Sequence, residues 1–256
     1  MGILYKTRVE WARGWLALNH YMGCGHLCRY CYGRKMLEER FKKVKWSKPK
    51  LKKPLGEMLR EASRVKDRVV WLSSATDPYQ PLETVLKATR ALIKALRGRN
   101  RIIILTKSDL VLRDIDLLED ARIGLSITSL KPNPLEPHAP LPKDRIDAVK
   151  TLKELGFETF VSIEPWIPKI SEPLDELVLE VCDYADWIIL GRLNHFPGVK
   201  ARYYRIRLPG LIDFLEAQGL KNRVLVKEEL RKSLPLYDWS RTLDNLVRWL
   251  DWSIPR

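Results

Sequence analysis

Cys24, Cys28 and Cys31 stand in one short string, Asn19-His20-Tyr21-Met22-Gly23-Cys24-Gly25-His26-Leu27-Cys28-Arg29-Tyr30-Cys31-Tyr32-Gly33, and are three of the four cysteines in the chain. Thiolates separated by three and then two residues can converge on one side of a loop, which is a metal-binding arrangement. A closed zinc site needs a fourth ligand. His20 or His26 could supply it, but zinc patterns usually pair two distant Cys-x-x-Cys units or add a His pair, and neither follows downstream. A 4Fe-4S cluster on three thiolates instead leaves one iron open to a small chelating ligand. Three buried thiols are the plain alternative. Cys182 is different: in Leu179-Glu180-Val181-Cys182-Asp183 it takes an apolar helix position and reads as a core residue.

Such a loop needs a scaffold, and the chain supplies short β-branched runs alternating with amphipathic segments. Six strands are expected, at Leu16 to Asn19, Val69 to Ser73, Ile102 to Thr106, Ile123 to Thr128, Thr159 to Glu164 and Trp187 to Gly191. A helix is expected over Leu82 to Arg97, with Leu82, Val85, Leu86, Leu92, Ile93 and Leu96 as its apolar stripe. Strand and helix in alternation predict an α/β fold, a (β/α)6 partial TIM barrel over residues 1–200. Ligands in such folds sit at the carboxyl ends of the strands, and the cysteine loop follows the first strand. Five prolines between Pro132 and Pro142 predict a stiff loop after the fourth strand, as a wall or lid over the substrate opening. Pro165, directly after Glu164, predicts the end of the fifth strand there, with Glu164 facing the site as a cofactor or substrate contact. Arg192 and Asn194 are candidates by position after the sixth strand, and His195 reads as an ordinary loop histidine. Residues 201–256 read as a C-terminal helical extension packed on the core. It contains a helical segment Pro209 to Gln218, an apolar run Val224 to Val226, and a helical stripe of Leu243, Leu246, Val247 and Leu250 crowded by Trp239, Trp249 and Trp252.

Cys-x-x-x-Cys-x-x-Cys near the start of a β/α chain resembles the signature of the radical S-adenosylmethionine (SAM) enzymes. The resemblance implies a 4Fe-4S cluster on Cys24, Cys28 and Cys31, SAM chelating its open iron, and an electron donor that reduces it. After the second strand, Ala75-Thr76-Asp77-Pro78 aligns with the Gly-Gly-Glu-Pro type motif that holds the SAM amino group in that family; Asp77 keeps the charge, while Ala75 and Thr76 depart from the glycines. Thr76-Asp77-Pro78-Tyr79-Gln80-Pro81, Thr106-Lys107-Ser108 with Arg113-Asp114, and Glu136-Pro137-His138-Ala139-Pro140 together look like the spore photoproduct lyase-related branch, over about Leu16 to Pro168. By that resemblance Lys107 pairs with the SAM carboxylate, and Ser126 or Thr128 bonds its ribose or amino group. Tyr30 and Tyr32 resemble the tyrosines thought to relay a hydrogen atom in those lyases, and they read equally as aromatic packing round a cluster. Where those lyases carry a hydrogen-donor cysteine, three residues before the motif acid, this chain has Ser74. A serine O–H bond is too strong to give up its hydrogen atom readily, so the implied relative acts on another substrate.

The charge widens the choice of partner. Lys and Arg exceed Asp and Glu by 46 to 32, a net +14 in 256 residues, compatible with nucleic acid and equally with a charged surface that aids solubility. Lys42, Lys43, Lys45, Lys48, Lys50, Lys52 and Lys53, with Trp46 among them, read either as phosphate contacts with a base-stacking aromatic or as a solvated connector. No apolar run reaches the roughly 18 residues of a membrane span, and charged residues interrupt the N-terminus, so a cytoplasmic protein with no membrane role is expected. The sequence therefore predicts a radical SAM enzyme that abstracts hydrogen from a substrate, nucleic acid being one class. Its rivals are a zinc- or cluster-containing nucleic-acid-binding protein without activity, and a radical SAM modifier of a peptide or metabolite.

Overall fold

The computed structural model describes residues 2–40, 45–194 and 196–251. Among these residues ten strands form in chain order: Leu4–Lys6 (β1), Leu16–Leu18 (β2), Tyr21–Met22 (β3), Lys50–Leu51 (β4), Val69–Leu72 (β5), Arg101–Thr106 (β6), Ala121–Ser126 (β7), Glu158–Trp166 (β8), Trp187–Arg192 (β9) and Val224–Val226 (β10). The helices are Tyr32–Arg40 (α1), Leu55–Ala62 (α2), Glu83–Leu86 (α3), Ala88–Leu96 (α4), Pro142–Glu154 (α5), Leu174–Cys182 (α6), Ala201–Ala217 (α7), Glu228–Arg231 (α8) and Ser240–Leu250 (α9). Eight strands make one sheet in the order β1-β2-β5-β6-β7-β8-β9-β10, parallel throughout except that β1 runs antiparallel to β2. The pair β3-β4 forms a separate small ribbon. This is the α/β fold of partial-barrel type, and all six expected strands are present. The apolar run Val224–Val226 adds a further parallel strand, in register with Ile188 to Leu190 of β9.

Side chains alternate across each strand, so each presents one row to the helices and one to the barrel interior. The outer row, including Val70, Ile104, Val161 and Ile188, packs under buried residues of α4, α5, α6 and α7 such as Leu92, Val149, Val178 and Leu208. Cys182 belongs to this layer, as expected of a core residue. The inner row is apolar toward the strand starts: Trp71, Ile103, Phe160, Ile189 and Leu225. Trp11 and Trp249 plug that end, and the Trp249 indole donates to the Trp11 carbonyl at 2.8 Å. Two residues further along the same strands the row becomes Ser73, Leu105, Ser162, Gly191 and Lys227, and a cavity opens above it.

Several expected details differ, each for a local reason. The helix over Leu82 to Arg97 is broken at Lys87, which takes a left-handed conformation with φ 48°. The buried Glu83 carboxylate accepts from the N–H of Thr89 at 3.0 Å and so caps α4 anew, leaving Val85 76% exposed. β8 does not stop at Glu164: a register shift between Ile163 and Trp166 carries it past Pro165, and it rejoins β9 where Trp166 pairs with Arg192. The helix expected from Pro209 begins at Ala201, with Pro209 inside it, because Tyr204 and Leu208 extend the buried face of Leu211, Ile212 and Leu215 backwards. On α9 the buried residues are Thr242, Asn245 and Trp249, while Leu243 and Val247 lie outside. Asn245 sets that rotation by donating to the carbonyls of Lys221 at 2.8 Å and Val224 at 3.0 Å. Lys42, Lys43, His195 and Trp252 lie outside the described residues. Among those described, no helix is long and apolar enough to cross a membrane.

Candidate functional site

The carboxyl ends of β5 to β10 and the loops beyond them enclose a cavity of about 470 Å³. That is within the ~300–1,000 Å³ usual for ligand pockets. Cys24, Cys28 and Cys31 line it together with Asp77, Thr76, Lys107, Ser126 and Glu164, so eight of the nine residues singled out as thiol ligands or cofactor contacts share one space. Tyr30 and Tyr32 line it as well. Thr128 does not. Its hydroxyl donates to Glu136 at 2.9 Å, behind the wall, and its carbonyl accepts from Ser171 at 2.6 Å, so its place is structural.

The cysteine loop is held from two sides. On one side Gln80, fully buried, accepts from the N–H of Gly25 at 2.9 Å and donates to the carbonyls of Gly23 at 3.2 Å and Asp77 at 3.3 Å. On the other, the proline-rich loop receives the N–H of Arg29 on the Leu135 carbonyl at 2.8 Å, and its own His138 N–H donates to the His26 carbonyl at 3.3 Å. No residue of that loop lines the cavity, so the expected lid is instead a buttress behind the cysteines. Its centre is Glu136, which meets Arg145 at 2.6 Å and Lys107 at 3.3 Å and receives the Tyr30 hydroxyl. Burial opposes its charge, yet Lys107 and Arg145 outweigh burial and hold its carboxyl down to about 2. Lys107 also donates to Ser126 and so spans buttress and cavity.

Asp77 lies under the cavity with both carboxylate oxygens engaged. One accepts from Thr106 at 2.6 Å and the N–H of Tyr79 at 2.8 Å; the other accepts from the N–H of Lys107 at 2.7 Å and faces His26 at 3.4 Å. Burial opposes ionisation here too, but His26 and these donors hold the carboxyl below its usual range. Glu164 is paired with Lys227 from the end of β10, a residue the sequence reading passed over although it follows Leu225 at the two-residue spacing of an inward row. A Cβ at Gly191 would stand 2.9 Å from Glu164 Cγ and 3.1 Å from Lys227 Cδ, so this glycine makes room for the pair. Arg145 and Gln80 were also missed, since a buried positioning residue has no spacing signature of its own.

The cavity fits a thiolate-held cluster with a polar co-ligand. Burial pushes all three thiols up, Cys28 to about 12, so the loop needs metal to carry thiolates. Among the described residues no three His, Cys, Asp or Glu side chains gather round one ion position. His20, a proposed fourth zinc ligand, is instead bonded on both ring nitrogens, to Thr89 at 2.9 Å and Ser73 at 3.1 Å. Meanwhile the hydroxyls of Thr76 and Ser162 are buried at the cavity wall without a hydrogen-bond partner among the described residues, as donors awaiting a polar ligand would be. Trp46, read either as a base-stacking aromatic or as part of a solvated connector, is 2% exposed and packs against Cys24 and Leu37.

Comparison with known proteins bears on the fold and the family. The chain is 38% identical over 194 residues to the uncharacterized protein MJ0683 of Methanocaldococcus jannaschii, 73% of each chain being covered. Its fold is similar to that of SuiB from Streptococcus suis solved with S-adenosylmethionine bound, at a TM-score of 0.62 and 16% identity. That match covers 88% of this chain and 53% of SuiB, so the chain spans about half the length of that enzyme. A spore photoproduct lyase matches at a TM-score of 0.46 and 13% identity, over 92% of this chain and 73% of the lyase, a likeness too loose to assign the branch. The profile of the Radical SAM superfamily matches residues 18–178, more than half the chain and the part that carries the cysteines, Asp77, Lys107 and Glu164; the chain belongs to the radical SAM superfamily.

Proposed function

We propose that this radical SAM enzyme abstracts a hydrogen atom from a nucleic-acid substrate brought to the mouth of the cavity. The observation that carries the reading is that three cysteines and two unpartnered hydroxyls, Thr76 and Ser162, face one cavity with a closed, tryptophan-lined floor. When bound, the cluster and SAM supply a 5′-deoxyadenosyl radical once an external donor has reduced the cluster. The chain's own part is to position and to exclude water. Thr76 and Ser162 would donate to the polar groups of SAM, with Ser126 and Lys107 lining the same cavity. Asp77 is a positioning residue, because its oxygens hold Thr106 and the Lys107 backbone in place. Glu164 presents one carboxylate edge while Lys227 holds the other. Trp71 and Leu105 close the floor against water.

The net charge of +14, and exposed Lys45, Lys48 and Lys50 just beyond the cluster loop, support a polyanionic substrate. Ser74 in the donor-cysteine position, with its hydroxyl bonded to Tyr5, favours a reaction other than the lyase hydrogen relay. The test is anaerobic: reconstitute, reduce, and measure 5′-deoxyadenosine with and without DNA or RNA oligonucleotides carrying deuterated sugars and bases. Deuterium in the 5′-deoxyadenosine supports the reading. Oligonucleotides that leave its yield unchanged overturn the nucleic-acid substrate, and a Cys28→Ala variant that still forms it overturns the site.

A further inference from the structure

The charged side chains lining the cavity divide into those already satisfied and those left free. Lys107 is paired with Glu136, and Lys227 with Glu164. Asp77 is engaged on both oxygens, as described above. Glu10 is taken by Arg231 and by the N–H of Glu228 at 3.0 Å, and Glu228 turns to Lys232 at 2.7 Å. Three guanidinium groups remain. Arg8 and Arg13 line the cavity, are exposed, and their guanidinium groups have no hydrogen-bond or ion-pair partner among the described residues. Arg13 acts on Glu228 only through space. Arg192 also lines the cavity, and among the described residues its guanidinium has one hydrogen bond, to the neutral Asn194 side chain at 2.8 Å. Against these three stands one lining carboxylate, Glu229, that has no hydrogen-bonded partner among the described residues.

Their placement is as informative as their number. Arg8 and Arg13 flank the short turn Glu10–Ala12 between β1 and β2, at one edge of the open sheet, whereas Arg192 ends β9 beside the other edge strand. An open eight-stranded sheet would leave these groups apart. Glu10 closes the gap, because its carboxylate receives both the Arg231 guanidinium and a backbone N–H of α8. The cations from the two edges therefore line one cavity along the side where those edges are joined, Arg8 and Arg13 from the turn at the amino end of β2 and Arg192 from the carboxyl end of β9.

We propose that Arg8, Arg13 and Arg192, along the side of the cavity where the two sheet edges are joined, form an anion-binding rim that holds phosphate groups of the substrate. The inference rests on the hydrogen-abstraction reading of the same cavity and adds the recognition element that reading lacks. Guanidinium groups suit the task, since each can give two parallel hydrogen bonds to a phosphate, and none of these three is hydrogen-bonded to a carboxylate among the described residues. The phosphates belong either to a nucleic-acid strand or to a small phosphorylated molecule, and the chemistry of the rim is the same for both.

The test uses the full chain with its cluster reconstituted and a fluorescein-labelled single-stranded DNA, titrated over a range of salt, with inorganic pyrophosphate as competitor. Replacing Arg8, Arg13 and Arg192 by Ala, singly and together, is expected to lower the slope of log affinity against log salt by about one per arginine. Lysine at the same positions keeps the slope and guards against a folding defect. A SAM-dependent change in the electron paramagnetic resonance (EPR) spectrum of the reduced cluster, retained in the triple variant, separates loss of the rim from loss of the site. Pyrophosphate binding that the triple variant loses, with no DNA binding by the wild type, supports the rim and overturns the nucleic-acid reading. Unchanged DNA affinity and slope in the triple variant overturn the rim, as does a wild type that binds neither probe.

Discussion

Gln80 holds Gly25 in place: its side-chain oxygen accepts the Gly25 N–H at 2.9 Å, one residue after Cys24, while its amide nitrogen donates to the carbonyls of Gly23 and Asp77. One buried side chain thus fixes the cysteine loop relative to the loop after β5, and with it the first thiol relative to the cavity-lining residues Thr76 and Asp77.

Replacing Gln80 by Ala leaves one N–H and two carbonyls to find other partners inside the protein. Each unpaired buried group costs about 1–3 kcal/mol. The variant is expected to melt several degrees lower, to retain less iron after reconstitution, and to show a weakened SAM-induced EPR change. Gln80→Glu keeps the acceptor but loses both donated bonds, so it should recover little. Wild-type iron retention and an unaltered SAM response in the Ala variant would remove Gln80 from this role.

His20 gives the acid limit of stability. It is fully buried between hydroxyls, against the Tyr21 ring, and burial lowers it from its ordinary value of 6.5 to about 3. Unfolded, the ring takes a proton below about pH 6.5. The folded state takes it only near pH 3, so stability is complete above 6.5 and falls as the pH drops from there toward 3. Urea unfolding of the cluster-free protein at pH 7, 5 and 4 should show a loss on the order of a few kcal/mol by pH 4. His20→Asn removes the part of that loss beginning near pH 6.5; a variant with the wild-type pH slope would assign it elsewhere.

The two tyrosines flanking Cys31 are distinguished by what their hydroxyls touch. Tyr30 donates to buried Glu136, inside the charged buttress, whereas Tyr32 is 51% exposed and donates to the Ser74 carbonyl at the cavity. Tyr30→Phe takes a hydrogen bond from a carboxylate that also faces Lys107 and Arg145, and is expected to lower stability by about 1–2 kcal/mol, with SAM cleavage and product falling together. Tyr32→Phe should leave 5′-deoxyadenosine formation in place while product falls, the uncoupling expected of a group that returns hydrogen. Equal losses of both products in the two variants would make both tyrosines packing residues.

These distinctions mark how far the sequence could be read. Cys24, Cys28 and Cys31 announce themselves because cluster ligation needs fixed thiol spacing within one loop, and β6 or β9 because a buried parallel strand is a short β-branched run. Lys227 and Arg145 could not be found that way. Lys227 acquires its meaning only when β10 joins β9 and Gly191 opens space beside Glu164; Arg145 only when α5 brings it under Glu136. The errors have the same origin. For Thr128, the proline-rich loop and the stripe of α9 the local pattern points one way, and in each case a hydrogen bond, to Glu136, from Arg29 or from Asn245, turns the residues another.

The Glu10–Arg231 pair, 14% and 11% exposed at its side chains, joins residues from opposite edges of the sheet. A partly buried pair of this kind couples its members by about 0.5–3 kcal/mol, more than an exposed surface pair. Glu10→Gln and Arg231→Met are therefore expected to destabilise singly, and together by less than the sum of the two, which thermal unfolding of the four proteins measures. Opening this clasp also frees the turn that carries Arg8 and Arg13, so each single variant should weaken anion binding at the rim although neither residue contacts the ligand. The Arg231→Met variant is the sharper of the two: it removes a positive charge at some distance from the rim, and its salt slope should fall by less than that of Arg13→Ala while its affinity falls. Additive destabilisation in the double variant, with affinity and slope both unchanged, would show that the sheet edges are held together without this pair.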